Sequence, residues 1–245
     1  MTIENNKKRP KPPSSSVVTR KDKAFSVGTL NCRTLTNEIK LLDTAMEAKR
    51  LKLDVLAVQE HKLKGTGDID LGKSSNNLKN WRFMYSGFDT AYGGTGLLIN
   101  PTTVTILDDS IVQKGRIYTF KLKIGYMKFI VTNVYAPTET HAESTKNEFY
   151  KKLDNELKKC KRLYPQYKQI VLEDFNSTIG KDAENLGHRC LGKNNDNLPT
   201  NENGNMLLSF SENNNLTILN SIYRTKTIHR ITFVAPTYKK RLDYK

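Results

Sequence analysis

Polar and apolar positions fall into a regular order from Phe25 onward. "FSVGTLN" (25–31) reads as a strand, and "NEIKLLDTAMEAKRLK" (37–52) puts Ile39, Leu42, Ala45 and Met46 on one helical face with Thr36 or Asn37 as cap. "DVLAVQE" (54–60) is an apolar strand that stops at a carboxylate. "GGTGLLIN", "IYTFKLKI" and "KFIVTNVYAP" follow as strands between Gly- and Pro-rich breaks. The clearest helix spans 143–165: Phe149, Leu153, Leu157, Cys160 and Leu163 form its stripe, Thr145 with Glu148 fits a capping box, and Pro165 ends it. "KQIVLED" is the next strand and residues 181–204 a long polar loop. "GNMLLSFSENNN" reads as a short helix, then "LTILNS" and "RITFVAP" as strands. No repeat of solenoid period is present.

Strand–helix–strand units alternate with a long β run from Thr95 to Tyr135. A doubly wound parallel sheet has no place for that run. The predicted class is therefore α/β (α+β): two mixed sheets packed face to face with helices outside.

Residues 1–23 carry Pro, Ser and Lys with almost no apolar pattern and are expected to be a disordered basic tail. Residues 24–245 then form one domain. "KKRPK" in the tail reads as a nuclear import signal, a DNA-gripping arm or simply a solvated run. No window approaches the roughly 18 apolar residues of a membrane span, and the first residues lack a secretory apolar region. Cys32, Cys160 and Cys190 are scattered and read as thiols of a reducing compartment. A net charge of +15 over 245 residues, part of it in the first 23, points either to polyanions as partners, nucleic acid first, or simply to a lysine-rich surface. An intracellular, nuclear location is expected, as a monomer with no membrane and no obligate protein partner.

Several strands end in polar groups that burial does not explain: Asn31, Glu60, Asn133, Tyr135, Asp174 and Asn176. Taken singly, each is an ordinary turn residue or the first solvated position. Taken together, they make a polar pocket at one rim. Its oxygen-rich character suits Mg²⁺, while the four histidines show no zinc-like spacing.

The ordered set "TLNCRTL", "LAVQEH", "GGTGLLI", "VTNVYAP", "EFYKKL", "VLEDFNSTIG", "NENGNMLLSFSENNNLTILNS" and "RLDYK" resembles the endonuclease/exonuclease/phosphatase superfamily. It looks closest to the apurinic-endonuclease-like domain of non-LTR retrotransposons. The resemblance covers residues 25–245. It implies a four-layer α/β/β/α sandwich, DNA as the partner, and Mg²⁺ as cofactor with Mn²⁺ as a substitute. It implies Glu60 as metal ligand, with Asn31 lining the metal and phosphate site. Tyr135 matches the tyrosine that hydrogen-bonds the scissile phosphate, Asp174 the aspartate that orients or deprotonates water, and Asn176 its amide partner. Asp243 matches the aspartate near the end of the fold. Arg33 and Asn133 are the implied nucleic-acid contacts.

Those roles agree with phosphodiester hydrolysis, which needs charge neutralisation, an activated water and a stabilised leaving group. One oriented donor is commonly worth about 3 kcal/mol there. Two departures stand out. Glu173 replaces the family's glycine beside Asp174, where it clashes, raises the pKa of Asp174 or points to solvent. The family's closing strand and terminal Ser-Asp-His do not follow Asp243, so the last strand is expected to be missing and a sheet edge unpaired. His229 precedes Asp243 and does not match that histidine. The functional expectation is a Mg²⁺-dependent nicking endonuclease. The alternatives are an inactive truncated relic or nucleic-acid-binding module, and a phosphatase of the same fold.

Overall fold

A computed structural model describes residues 25–223, together with the backbone of two short strands near the end of the chain. The tail 1–23, His229, Asp243 and the side chain of Phe233 lie outside the described residues.

Nine strands build two sheets. The first has the order β1-β2-β5-β4-β3, from β1 (Val27–Asn31), β2 (Val55–Gln59), β3 (Thr66–Asp70), β4 (Arg82–Ser86) and β5 (Thr95–Ile99). The second has the order β6-β7-β8-β9, from β6 (Thr105–Gln113), β7 (Ile117–Ile124), β8 (Met127–Tyr135) and β9 (Lys168–Asp174). Both are mixed: β1 pairs parallel with β2, and β8 parallel with β9, while the remaining pairs are antiparallel.

The strand period of two sorts the core into layers. Val55, Ala57, Leu97 and Ile99 of the first sheet meet Tyr118, Phe120, Val131 and Leu172 of the second. The opposite faces take the helices. α1 (Glu38–Arg50) buries Leu41, Ala45 and Ala48 against Leu56, Val58 and Leu98. α2 (Glu143–Leu163) and α3 (Glu202–Asn213) cover Ile117 and Val134. The result is the α/β/β/α sandwich.

Local chemistry explains the ends of α1. The Asn37 side chain accepts from the Ile39 N–H, Glu38 stands in the first turn, and Lys49 and Arg50 stand in the last. The buried face differs from the sequence pattern, because Ile39 and Met46 are exposed and the alanines face inward. Small side chains let the helix approach the sheet closely, and hydrophobicity alone does not register that. α2 begins at Glu143 after Ala142, which makes no side-chain cap, so Thr145 lies inside the helix and the capping box is not formed. Leu163 at its far end is exposed.

"LTILNS" is not a strand. Leu216 and Ile218 turn inward beneath α3, Ile218 N–H donates to Cys190 O, and a single helical turn, α4 (Leu219–Ile222), follows. Burying two alternate residues under a helix meets the same pattern without a ladder. Near the end of the chain, β10 (Phe233–Val234) pairs antiparallel with β11 (Lys239–Lys240) and joins neither sheet.

Candidate active site

The carboxyl ends of four strands open on one rim. Asn31 stands opposite Gln59 in the β1–β2 ladder, and Tyr135 opposite Asp174 in the β8–β9 ladder. One amide joins the two sheets there. Asn31 Nδ2 donates to Glu60 Oε1 at 2.9 Å and to Asp174 Oδ2 at 2.6 Å. Those two carboxylate oxygens therefore lie within the combined length of two hydrogen bonds. Asn31 Oδ1 is turned to the Arg33 N–H at 3.0 Å, so the amide enters the site as a donor.

The backbone around the rim is held in unfavourable conformations. Arg33, Glu60, Lys62 and Asn176 are non-glycine residues with φ of 58°, 56°, 60° and 49°. Left-handed backbone of this kind costs roughly 1–2 kcal/mol per residue and persists only where its surroundings enforce it. At Glu60 the enforcement is visible. Its N–H donates to Gly94 O at 2.9 Å, and the Lys62 N–H donates to Gly93 O at 2.8 Å. His61, fully buried between them, accepts from the Leu63 N–H at Nδ1 and packs edge-on against Phe83 and Tyr85. Burial pushes its pKa down to about 4, so the imidazole is a neutral structural pin.

Asn176 closes a second turn. Its N–H donates to Asp174 Oδ1 at 3.0 Å and its Nδ2 to Ala136 O at 3.0 Å. Asn203, buried on the first turn of α3, donates to both Pro137 O and Asn176 O. Asn176 therefore aims Asp174 through its backbone, while its own amide braces the loop after β8.

Tyr135 completes the rim. Burial, and next the Glu60 carboxylate, hold its phenol well above the usual range, so it stays a protonated donor. Arg116 backs it: Nη1 donates to Tyr135 O at 3.1 Å, and the guanidinium lies 5.4 Å from the Tyr135 ring centre and 5.5 Å from that of Phe88.

Among the described expectations, the structure brings Asn31, Glu60, Tyr135, Asp174 and Asn176 together, with Arg33 exposed beside them. Asn133 is a correction. It is fully buried between the sheets, where Nδ2 donates to Val58 O and Gly96 O and Oδ1 accepts from Gln59 Nε2. A side chain spent on three internal bonds is a tie between layers, not a nucleic-acid contact. Asn133→Ala is expected to lower stability by about 2–4 kcal/mol in urea denaturation by orphaning those groups. DNA affinity of the folded variant should be unchanged; lost affinity at full stability would restore the contact role.

Glu173 does not point to solvent. Leu172 and Asp174 share the inter-sheet face, whereas Glu173 is buried on the helix face, where its charge acts on Tyr150 of α2. It therefore stands clear of the cleft. The three cysteines are buried and not disulfide-bonded, and burial pushes the Cys190 thiol up to about 11 and those of Cys32 and Cys160 to about 12. Sequence reading missed Gly93, Gly94, His61, Arg116 and Asn203. Only "GGTG" carried a signal, since paired glycines beside a strand mark close backbone approach.

The donor set suits a hard cation. Two carboxylates flank one amide, and among the described residues no group of three or more His, Cys, Asp and Glu gathers. Mg²⁺ is commonly held by one or two carboxylates, with waters and substrate phosphate completing its shell.

This four-layer sandwich, with polar groups at the carboxyl ends of its central strands, is a fold shared with a solved endonuclease domain. The endonuclease domain of TRAS1, a telomere-specific non-LTR retrotransposon, matches the structure with a TM-score of 0.56 at 13% identity, over 90% of this chain and 84% of that one. In sequence, Craniofacial development protein 2 of Bos taurus is 24% identical over 225 residues, and that of Tragulus javanicus 23%, each across 90% of this chain. The chain spans 35% and 36% of the length of these two relatives. No protein-family model matches the sequence. Among the described residues, no helix is long and apolar enough to cross a membrane.

Proposed function

We propose that the chain is a nuclease-type phosphodiesterase that hydrolyses DNA phosphodiester bonds with Mg²⁺, or Mn²⁺ in its place. The observation that carries this reading is the Asn31 amide bridging Glu60 and Asp174 at a rim shared with Tyr135. The likeness in fold to the endonuclease domain of TRAS1 and the net charge of +15 support it.

In this reading Glu60 holds the ion, with the Asp174 carboxylate beside it. The bound ion supplies neutralisation of charge on the phosphoryl oxygens. Asp174 accepts a proton from the attacking water, as a positioned carboxylate within hydrogen-bond reach can. Its orientation is fixed twice, by Asn31 Nδ2 and by the Asn176 N–H. Tyr135, kept protonated, donates to a phosphoryl oxygen. Arg33 on the exposed loop meets the flanking backbone, and Asp243, outside the described residues, is assigned a catalytic role by its match to the family's motif alone. A nuclear location and a monomeric state belong to the same proposal.

Supercoiled plasmid incubated with the 245-residue chain and Mg²⁺ should relax to nicked circles. EDTA or Glu60→Ala should abolish it. Nicking by Glu60→Ala at the wild-type rate, or none by the wild-type chain with either ion, would overturn the reading.

A further inference from the structure

A second surface, at the other end of the sheet from the cleft, has properties the cleft does not use. β8 runs from this pole to the rim. Lys128 and Tyr135 are seven residues apart along it, which at about 3.3 Å per residue is roughly 23 Å. At the far pole Lys128 stands directly across the ladder from Lys123. Like charges set opposite each other on one sheet face destabilise the pair. Lys161 and Arg162 stand nearby in the last turn of α2. None of these four cations forms an ion pair with a carboxylate among the described residues. Lys161 and Arg162 complement a helix carboxyl terminus. Lys123 and Lys128 are not at a helix end, and Lys128 leans on the Tyr167 ring.

Aromatic rings are set among the charges. Lys128 Nζ lies 5.5 Å from the centre of the Tyr167 ring, and Lys121 Nζ lies 4.4 Å from that of Tyr164. The two tyrosines are 5.4 Å apart. Tyr126, at the tip of the β7–β8 hairpin and separated from Lys123 and Lys128 by the Ile124–Met127 pair, is 85% exposed. Its position follows from Gly125, whose φ of 57° closes the turn. Tyr164 and Tyr167 are half-buried and each carries a lysine over its ring, whereas the Tyr126 ring is left open beside Lys123 and Lys128. Cations that track a phosphate backbone next to an open aromatic face make a surface on which an unstacked base lies. A duplex keeps its bases stacked inside and cannot use the rings.

We propose that this pole is a second nucleic-acid site that takes a single-stranded polynucleotide. Lys123 and Lys128 contact phosphates there, and Tyr126 stacks a base. The site would hold a strand while the cleft acts elsewhere, which rests on the proposed nuclease reading for its purpose but not for its existence.

The test is fluorescence anisotropy of labelled oligo-dT, oligo-U and a duplex against the full chain without divalent metal, titrated with salt. Lys123→Glu with Lys128→Glu should weaken single-strand binding at least tenfold. It should also reduce the log–log salt slope by about 1.4, since each lost single-strand phosphate contact removes about 0.7. Tyr126→Ala should weaken single-strand binding several-fold and leave the slope and duplex binding unchanged. The oligo-dT and oligo-U arms say whether DNA or RNA is the better occupant. No nicking by the wild-type chain with Mg²⁺, alongside intact lysine-dependent strand binding, would sink only the nuclease reading. Unchanged single-strand affinity in the lysine variant, or equal loss for the duplex in Tyr126→Ala, would overturn the second site. Lysine-dependent binding to phosphatidylserine vesicles with unaltered oligonucleotide binding would overturn it as well. Both changes are at exposed positions, and circular dichroism verifies folding.

Discussion

Replacing Asp174 by alanine is expected to lower the rate of plasmid nicking by about a thousandfold or more, with little change in DNA affinity. The expectation follows from three features at one atom group. Asp174 is the last residue of β9, and its strand neighbour Leu172 is locked in the inter-sheet core. Its Oδ2 takes the Asn31 amide at 2.6 Å and its Oδ1 the Asn176 N–H at 3.0 Å. A carboxylate held at both oxygens is already oriented, and a positioned base contributes about 10²–10⁴ to rate. Alanine removes the proton acceptor and also leaves Asn31 Nδ2 with Glu60 as its one remaining acceptor of the two, which loosens the second carboxylate. The two effects act together at one step, so kcat falls while KM holds. Asp174→Asn separates them: it keeps the size of the side chain and lacks the charge. Single-turnover nicking under saturating Mg²⁺ measures the chemical step. An Asp174→Asn variant within tenfold of wild type would remove the proton-accepting role and leave Asp174 as a scaffold for Asn31.

How far this site was legible in the sequence depends on what kind of signal each residue carries. Glu60 and Asp174 are each ordinary strand-end residues taken singly, and they stand out only as members of an ordered set of polar strand ends. The buried bodies of β2 and β9 tell where those side chains emerge. Asn133 shows the limit of the same reasoning. A polar residue near a strand end either leaves the core or bridges two layers inside it. The choice depends on whether Val58 O and Gly96 O, in the other sheet, are within reach. Nothing local to "VTNVYAP" encodes that. Glu173 fails in the same way: the alternation along β9 gives its face, but only the packing of α2 makes that face a buried one.

The elements show a parallel division. β2, β7, β8 and β9 carry apolar or alternating runs and were read directly. β3, β4 and β6 were not; β4 is a short, largely buried strand, and β3 and β6 are polar strands whose pairing is supplied by partners. In β6, Asp109 accepts from the Tyr118 hydroxyl and Asp108 pairs with Lys121, both on the neighbouring strand. A strand that depends on cross-strand bonds for its polar side chains looks like a loop in isolation. The strands that carry the rim, β1, β2, β8 and β9, were therefore read from sequence, while the opposite edge strands, β3 and β6, were silent.

The glycine pair before β5 carries the second large effect, and here a main-chain position controls a carboxylate it never touches. Gly94→Ala is expected to destabilise the protein by about 3 kcal/mol or more and to cost a further tenfold or more in nicking rate by the folded fraction. Gly94 has φ of +103°, a region closed to side chains, and a Cβ added there would sit 2.4 Å from His61 Cε1 and Nε2. Backbone strain and overpacking each cost about 1–3 kcal/mol. Relief requires the imidazole to move, and His61 lies between Glu60 and Lys62, whose left-handed backbones are set by bonds to Gly94 O and Gly93 O. Displacing that pin shifts Glu60, and a misplacement of about 1 Å at a reacting group can cost 10²-fold. Gly187→Ala provides the comparison: its φ is +72° but nothing lies within 4 Å of the added Cβ, so it should show the strain cost of about 1 kcal/mol without the loss of rate. Combining Gly94→Ala with His61→Ala empties the space the methyl needs. The double variant should therefore recover part of the stability lost by the two single changes, a favourable coupling in a mutant cycle. It should not recover the rate, because the pin itself is gone. Additive stabilities, or a Gly94→Ala chain as stable and active as Gly187→Ala, would mean that Glu60 is held by something other than the buried imidazole.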